Sequence, residues 1–250
     1  MSTSVVRLAA LPHDLAGLAG ERATIQRVAT HVLARARFQA VGRFGLALAP
    51  GGIATPAFGP DATVVRLTSD GLAVDRSGVT TWWPLEQVSV RDLADHAGAD
   101  LSVEFSAGSD SPALGDPDEV LTIDTDLIAL LGSWLAVAWP ALDHVLAHAS
   151  IRPDASPARI QLWPEHFDAG TNVGIGHGSE DRVNLGISLG DEFSPEPYLY
   201  GGPWSADRPG DPAFWNAPFG AVRTYSEIAG ADDPRAAISD FFSDVLDRFA

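Results

Sequence analysis

Two stretches of this chain alternate with period two and share one design. Val183, Leu185, Ile187 and Leu189 alternate with Asn184, Gly186, Ser188 and Gly190, while Thr171, Val173 and Ile175 alternate with Asn172, Gly174 and Gly176. Successive side chains of a strand point to opposite faces, so each stretch predicts a strand with one apolar face and one uniformly small face. The apolar face needs a covering layer. The small face leaves room beside the backbone that something outside the strands must fill, either a helix, rings such as Trp163 or Trp204, or a ligand. Close packing is the commoner reason for glycine in a strand.

The segment holding these strands, Arg159 to Trp204, is also where rings, carboxylates and a histidine crowd together. Gln161-Leu-Trp-Pro-Glu-His-Phe-Asp168 lies at one end and Pro195-Glu-Pro-Tyr-Leu-Tyr200 at the other. His166 and Asp168 are two apart, so an extended chain projects them from one face and Glu165 and Phe167 from the other. Asp191, Glu192 and Glu196 fall in the turn after the second strand. If the strands are antiparallel neighbours, these carboxylates approach the Glu165–Asp168 end. A histidine with two or three carboxylates suits a hard divalent cation, or a general acid/base pair in which like-charge repulsion raises one pKa. On this reading His166, Asp168 and Glu196 are the catalytic candidates, and Asp168, Asp191 and Glu196 would hold a divalent metal ion. Trp163, Tyr198, Tyr200 and Trp215 would border a small-molecule ligand, aromatic walls with a few polar groups being the usual pocket lining. The competing reading makes the acids solvated turn formers and Tyr198 and Tyr200 a ladder at the rim of a core.

The remaining chain supplies helices and further strands. Ile25, Val28, Ala29, Val32, Leu33 and Ala36 recur at helical spacing over Glu21 to Phe38. A strand is expected over Arg43 to Ala49, stopped by Pro50-Gly-Gly52, and two more over Thr63 to Thr68 and Leu72 to Asp75, hinged at Asp70-Gly71. Trp82 and Trp83 are adjacent in an extended segment, so they point to opposite faces, which lets one lie in the core and the other outside. Glu86 to Ala97 reads as a helix, Leu101 to Phe105 as a strand, and Ser106 to Asp118 as a polar connection. Thr125 to His148 is apolar nearly all round, hence a central helix, with Pro140 expected to kink or divide it. Asp233 followed by Pro234 marks the start of the last helix, whose apolar face is Ile238, Phe241, Phe242, Val245, Leu246 and Phe249.

Composition excludes whole classes of chemistry. The chain has no cysteine, so disulfides, thiolate metal sites and cysteine nucleophiles are absent. Its 16 basic residues are all arginine, which removes Schiff-base and P-loop lysine mechanisms. A formal charge of −17 argues against nucleic acid and anionic membrane as partners. The first ten residues lack a basic segment followed by a long apolar core, and the most hydrophobic uncharged run, sixteen residues from Leu127 to Leu142, is short of the ~20 that a membrane span needs. The expectation is a cytoplasmic protein, with self-association left open. His144 and His148 lie four apart on a helix, but the residues between, Val145, Leu146 and Ala147, include no glutamate of a zinc protease. His13, His31, His96 and His177 stand alone. No dinucleotide fingerprint, P-loop or Gly-x-Ser-x-Gly elbow is present.

The order of landmarks resembles a bacterial family catalogued only as a domain of unknown function. The landmarks are Ala49-Pro-Gly-Gly-Ile-Ala-Thr-Pro56, Trp163-Pro-Glu-His-Phe-Asp168, a glycine-rich strand, Pro195-Glu-Pro-Tyr198 with Tyr200 beyond, and Phe214-Trp-Asn-Ala-Pro-Phe-Gly220. The resemblance spans roughly Thr24 to Phe249 and implies shared architecture without an activity. Phe167 and Asp168 match the family pattern, whereas His166 departs from it. Together these readings predict a single α+β domain over residues 1–250, with largely antiparallel sheets packed against three or more helices. Two similar halves could meet near residues 106–118. Two functions are carried forward: a small-molecule pocket with metal-assisted hydrolysis as its chemistry, and a non-catalytic interaction or assembly module.

Overall fold

The first helix is longer than its apolar periodicity. It runs as α1 (Leu15–Val28), a π-helical segment (Ala29–Ala34) and α2 (Arg35–Val41), and ends where Gly42 takes a left-handed φ of 66° and donates its N–H to the Phe38 carbonyl. The structure, a computed structural model, describes residues 8–11, 15–149, 155–176, 178 and 181–249. His13 and His177 lie outside the described residues. The fold is α+β, with two antiparallel sheets of five strands, each a meander in sequence order. The chain packs as two compact units. One comprises Pro12–Ala136 and Leu162–Phe167, and the other Met1–Leu11, Val137–Gln161 and Asp168–Ala250.

In the first unit the sheet order is β1 (Ala47–Ala49), β2 (Gly52–Ala54), β3 (Val64–Thr68), β4 (Gly71–Arg76) and β5 (Val79–Trp83). Pro50-Gly-Gly52 does not merely stop a strand. It turns the chain into β2, with Gly51 at φ 73°. The hairpin at Asp70-Gly71 forms as expected, Thr68 pairing with Gly71. Trp82 and Trp83 depart from expectation. They point to opposite faces of β5, yet both are exposed, at 52% and 40%, because β5 is the outermost strand. Their partial cover is Arg66 over the Trp82 ring and His96 beside Trp83.

The helix expected from Glu86 begins only at Val90. Ser89 and Asp92 form a capping box that fixes the start of α3 (Val90–Ala97). No strand forms over 101–105. The Asp100 carboxylate accepts from the Ser102 N–H and hydroxyl, and Arg35 donates to the Asp100 and Val103 carbonyls, so side chains take up backbone groups that a ladder would need. The π-helical residues are all buried, His31 among them. His31 Nε2 lies 2.7 Å from the Pro112 carbonyl, and Arg35 reaches toward its Nδ1 at 3.4 Å. This buried ring is one of the ties between the first helix and the polar connection of residues 106–118, where Arg27 also donates to the Leu114 and Asp116 carbonyls.

The central helix α4 (Thr125–Ala149) runs unbroken through Pro140 and passes from one unit into the other. Asp124 caps it by accepting from the Asp126 and Leu127 N–H groups. It is long and apolar enough to cross a membrane, but 61% of its apolar window is buried within the protein, as in a core helix. Gly132 on α4 touches the turn before β2. A Cβ there would lie 2.5 Å from the Gly52 nitrogen and 2.6 Å from the Gly51 carbonyl carbon.

The second unit holds β7 (Asp168–Gly174), β8 (Arg182–Ser188), β9 (Tyr198–Pro203) and β10 (Ala221–Thr224), preceded at the edge of this sheet by β6 (Gln161–Trp163). The two alternating stretches are adjacent and antiparallel, Gly170 facing Gly186 and Asn172 facing Asn184. Their apolar face, with Val173, Val183, Leu185, Ile187 and Leu199 all sealed from solvent, meets α6 (Pro234–Asp247) at β9, where the helix approaches so closely that a Cβ at Gly201 would meet Val245 at 2.6 Å. Burial of each such side chain stabilises by about 1.5–3 kcal/mol. α6 starts as read from sequence, with Asp233 accepting from the Arg235 and Ala236 N–H groups.

Two outcomes follow from this packing. Gly132→Ala gains about 1 kcal/mol of helix propensity but must displace backbone, which costs about 1–3 kcal/mol, so a lower urea midpoint is expected. Burial lowers the His31 pKa below its ordinary 6.5, the nearby Arg35 and Arg27 charges acting in the same direction. The unfolded chain therefore takes up a proton near pH 6.5 while the folded chain does not. Stability should fall as pH drops below about 6.5, until the lower folded pKa is reached. Urea titrations between pH 7.5 and 5.5 should show this slope, and His31→Gln should flatten it.

Candidate functional site

The small face of the second sheet is not an empty hollow. Asp168, Gly170 and Asn172 of β7, Asn184, Gly186 and Ser188 of β8, and Tyr198, Tyr200 and Gly202 of β9 share it through direct pairings of Gly186 with Gly170 and Tyr200, and of Ser188 with Asp168 and Tyr198. Tyr200 fills the space from within the sheet. A Cβ at Gly186 would lie 2.1 Å from the Tyr200 Cζ, and one at Gly170 3.0 Å from its hydroxyl. The ring lies flat across β8, and its hydroxyl donates to Asp168 Oδ2 on β7. An aromatic side chain laid over a cross-strand glycine replaces packing that the glycine cannot supply. Of the alternatives open in the sequence, large-ring packing is realised, by Tyr200 and not by Trp163 or Trp204.

Tyr198 repeats the arrangement one pair further along. Its hydroxyl donates to Asp191 Oδ2 at 2.5 Å, and the other oxygen of that carboxylate accepts from the Phe193 and Ser194 N–H groups at 2.8 and 3.1 Å. Burial raises the Tyr200 pKa well above the ordinary phenol value, and the Asp168 charge and hydrogen bond raise it further. Tyr198 is raised by burial and by its bond to Asp191. Both hydroxyls therefore stay protonated at neutral pH. Phe193 and Phe219 close around the tyrosines, with centroid separations of 5.6 Å for Phe193–Tyr198, 4.9 Å for Phe193–Phe219 and 6.5 Å for Tyr200–Phe219. Both phenylalanines remain open to solvent, at 47% and 40%.

The other end of the face is polar. Trp204 continues the β9 alternation, donates its indole N–H to Asn184 Oδ1 at 2.8 Å and is 47% exposed. Arg182 Nε donates to Asn172 Oδ1 at 2.5 Å and its Nη2 to the Ser156 carbonyl at 2.9 Å. Between the two ends, Gly202 lies beneath the Phe219 carbonyl, where a Cβ would be 2.2 Å away.

The remaining predicted site residues are dispersed. Glu196 caps the first turn of α5 (Tyr225–Ala229), accepting from the Ser226 N–H and hydroxyl at 2.8 and 2.7 Å. Trp215 packs with Phe214 and Phe249, donates to the Pro209 carbonyl and lies under Arg208. Trp163 and His166 belong to the first unit, where Trp163 meets Phe44 and His166 forms an exposed pair with Asp110 at 3.6 Å. The expectation that His166 and Asp168 share an extended face fails. The chain turns over residues 164–167, the Phe167 N–H bonding back to the Trp163 carbonyl, and Phe167 is buried at a left-handed φ of 54°. Asp168, Asp191 and Glu196 serve three separate partners, so they do not fit a shared cation. Among the described residues no three His, Asp or Glu side chains gather as a ligand set, His144 and His148 included. Their rings instead meet edge to face on α4, 4.4 Å apart.

Sequence reasoning missed Phe193 and Phe219 as members of the face, and the Trp204–Asn184 pair. The parity of Tyr198, Tyr200 and Trp204 along one strand was the available signal for the last. Comparison with models of known families, with curated proteins and with solved structures finds no match to this chain.

The tyrosines supply a direct check. All three in the chain have raised pKa values, Tyr225 to about 12. Absorbance at 295 nm should therefore show no tyrosinate at pH 10 in the folded protein, with ionisation arriving only together with alkaline unfolding. Gly186→Ala should push Tyr200 off the sheet, bring one tyrosine back toward pH 10 and destabilise the fold by about 1–3 kcal/mol.

Proposed function

We propose that this protein binds a small, uncharged, ring-containing polar molecule, of which a sugar is the simplest kind, on the aromatic face of its second sheet. The observation that supports this reading is the pairing of solvent-exposed rings with fixed polar groups on one face. Phe193, Phe219 and Trp204 offer flat apolar surface, while Asn184 and the Asp168–Tyr200 and Asp191–Tyr198 pairs are already held in place by hydrogen bonds. Aromatic side chains lose little conformational entropy on binding, so an array that is already packed favours recognition. The formal charge of −17 favours a neutral ligand over an anionic one.

Recognition, and not proton transfer, is the chemistry these groups supply. Tyr198 and Tyr200 have already donated their one O–H proton to Asp191 and Asp168, so they are fixed parts of the face and, held protonated, do not act as bases at neutral pH, and Glu196 and His166 are occupied elsewhere. An open face buries less of a ligand than a cleft, so affinity in the range of roughly 0.1–1 mM is expected, about 4–5.5 kcal/mol of binding.

Saturation-transfer NMR with glucose, cellobiose and adenosine tests the reading. At least one probe should receive saturation, and Trp204→Ala and Phe219→Ala should each weaken it roughly five-fold or more, with circular dichroism unchanged. Absence of transfer to every probe, or transfer indifferent to both substitutions, would sink the proposal.

A further inference from the structure

The first unit carries a feature that the ligand-binding reading does not use and that stands independently of it. Among the sheet edges, β1 and β6 are three residues long and β10 is four residues long and carries Arg223. β5 is five residues long, Val-Thr-Thr-Trp-Trp, uncharged and free of proline, with every residue exposed. Proteins ordinarily protect such an edge with charge, proline, a bulge or a covering segment. Val79 at 65%, Trp82 at 52% and Trp83 at 40% exposure leave apolar surface open on both faces of the strand, with Arg66 and His96 as partial cover.

The β4–β5 turn fixes which backbone groups face outward. Ser77 and Gly78, at φ 50° and 81°, form a two-residue turn of the type I′ kind, closed by the Arg76–Val79 pair. Bonded and non-bonded pairs alternate from that closing pair, so Val79, Thr81 and Trp83 direct their N–H and C=O groups to β4. Thr80 and Trp82 direct theirs away from the sheet. Among the described residues no backbone group pairs with them there.

We infer that β5 pairs with β5 of a second copy of this chain, antiparallel about a twofold axis at Thr81, joining two five-stranded sheets into one of ten strands. This register sets Thr80 opposite Trp82 of the copy and Trp82 opposite its Thr80, so both outward-facing residues find bonded partners and four backbone hydrogen bonds form. It also sets Val79 opposite Trp83 of the copy. Every cross-strand contact is then aromatic on β-branched, or Thr81 on its own counterpart, both favourable pairings.

Charge fits a second copy in this direction. The Trp83 end of the strand carries the exposed Asp70 and Glu86, the hairpin end carries Arg76 and Asp61, formally neutral in sum, and the neutral Arg66–Asp75 ion pair lies between the two ends. Antiparallel pairing places each acidic end beside the neutral end of the copy. The two acidic ends stay about 16 Å apart, beyond the ~8 Å screening length at physiological salt. Residual repulsion between two acidic chains makes association stronger at higher ionic strength.

The absence of cysteine makes the register testable in the full chain. Thr81→Cys places two thiols at a non-bonded pair on the twofold axis, where Cα atoms about 4.5 Å apart permit a disulfide. Val79→Cys puts its thiols about 13 Å apart. Mild oxidation should cross-link most of Thr81→Cys and little of Val79→Cys. Sedimentation of the unmodified chain should show a monomer–dimer equilibrium that shifts toward dimer between 50 and 500 mM salt. Thr80→Pro, which removes an outward N–H and leaves the β4 ladder intact, should weaken it at least ten-fold with the melting temperature of the monomer retained. A chain that stays monomeric to about 200 µM at both salts overturns the inference. So does a dimer indifferent to Thr80→Pro, or equal cross-linking of the two cysteine variants.

Discussion

The second sheet depends on how closely one tyrosine can lie against a strand. Tyr200 spans from β9 across β8 to reach Asp168 on β7, and it can do so only because Gly186 and Gly170 present no side chain beneath it. The same strands must also be apolar on the reverse side, since that face is buried and α6 approaches to contact on it at Gly201. Period-two alternation of large apolar and small residues satisfies both demands at once. A change of register by one residue would turn the small residues inward and expose Val183, Leu185 and Ile187.

The first unit solves a different problem, that of holding irregular chain. Residues 98–124 contain little regular structure, so their carbonyls need partners other than a ladder. The first helix supplies them from one side: Arg27 donates to Leu114 and Asp116, His31 meets Pro112, and Arg35 donates to Asp100 and Val103. The π-helical segment falls where this side is most deeply buried, and a π turn re-aims successive side chains relative to an α-helix.

What could be read from sequence was what local chemistry dictates. The alternation at 183–189, the Asp70-Gly71 hairpin, the Asp233-Pro234 helix start and the apolar run from Thr125 each carry their cause within a few residues. The misreadings share a longer-range origin. Phe167 adopts a left-handed conformation that a non-glycine residue does not announce, and this turn separates His166 from Asp168. Glu196 finds Ser226, thirty positions on, which no spacing rule connects. Trp82 and Trp83 alternate as strand residues should, but which strand becomes the edge is a property of the sheet and not of the strand. The candidate face was half legible: Tyr198, Tyr200 and Asp168 stood out, while Phe219 joined them only through the turn that closes over Gly202.

The absence of lysine bears on the surface as much as on the chemistry. Arginine is the chain's only long cationic side chain, and several arginines are spent on carbonyls: Arg27, Arg35, Arg37, Arg76 and Arg182 each donate to backbone oxygen. A guanidinium is suited to this because its planar fork can serve two carbonyls from one position, as Arg27 and Arg35 do, where an ammonium acts as a point charge. The consequence is electrostatic. Several positive charges are drawn toward loop backbone, while most of the acids lie at the surface, in keeping with the formal charge of −17. A net charge of this sign disfavours polyanions. It leaves uncharged surface, the rings of the second sheet and the bare edge of the first, as the places where another molecule meets the least electrostatic cost.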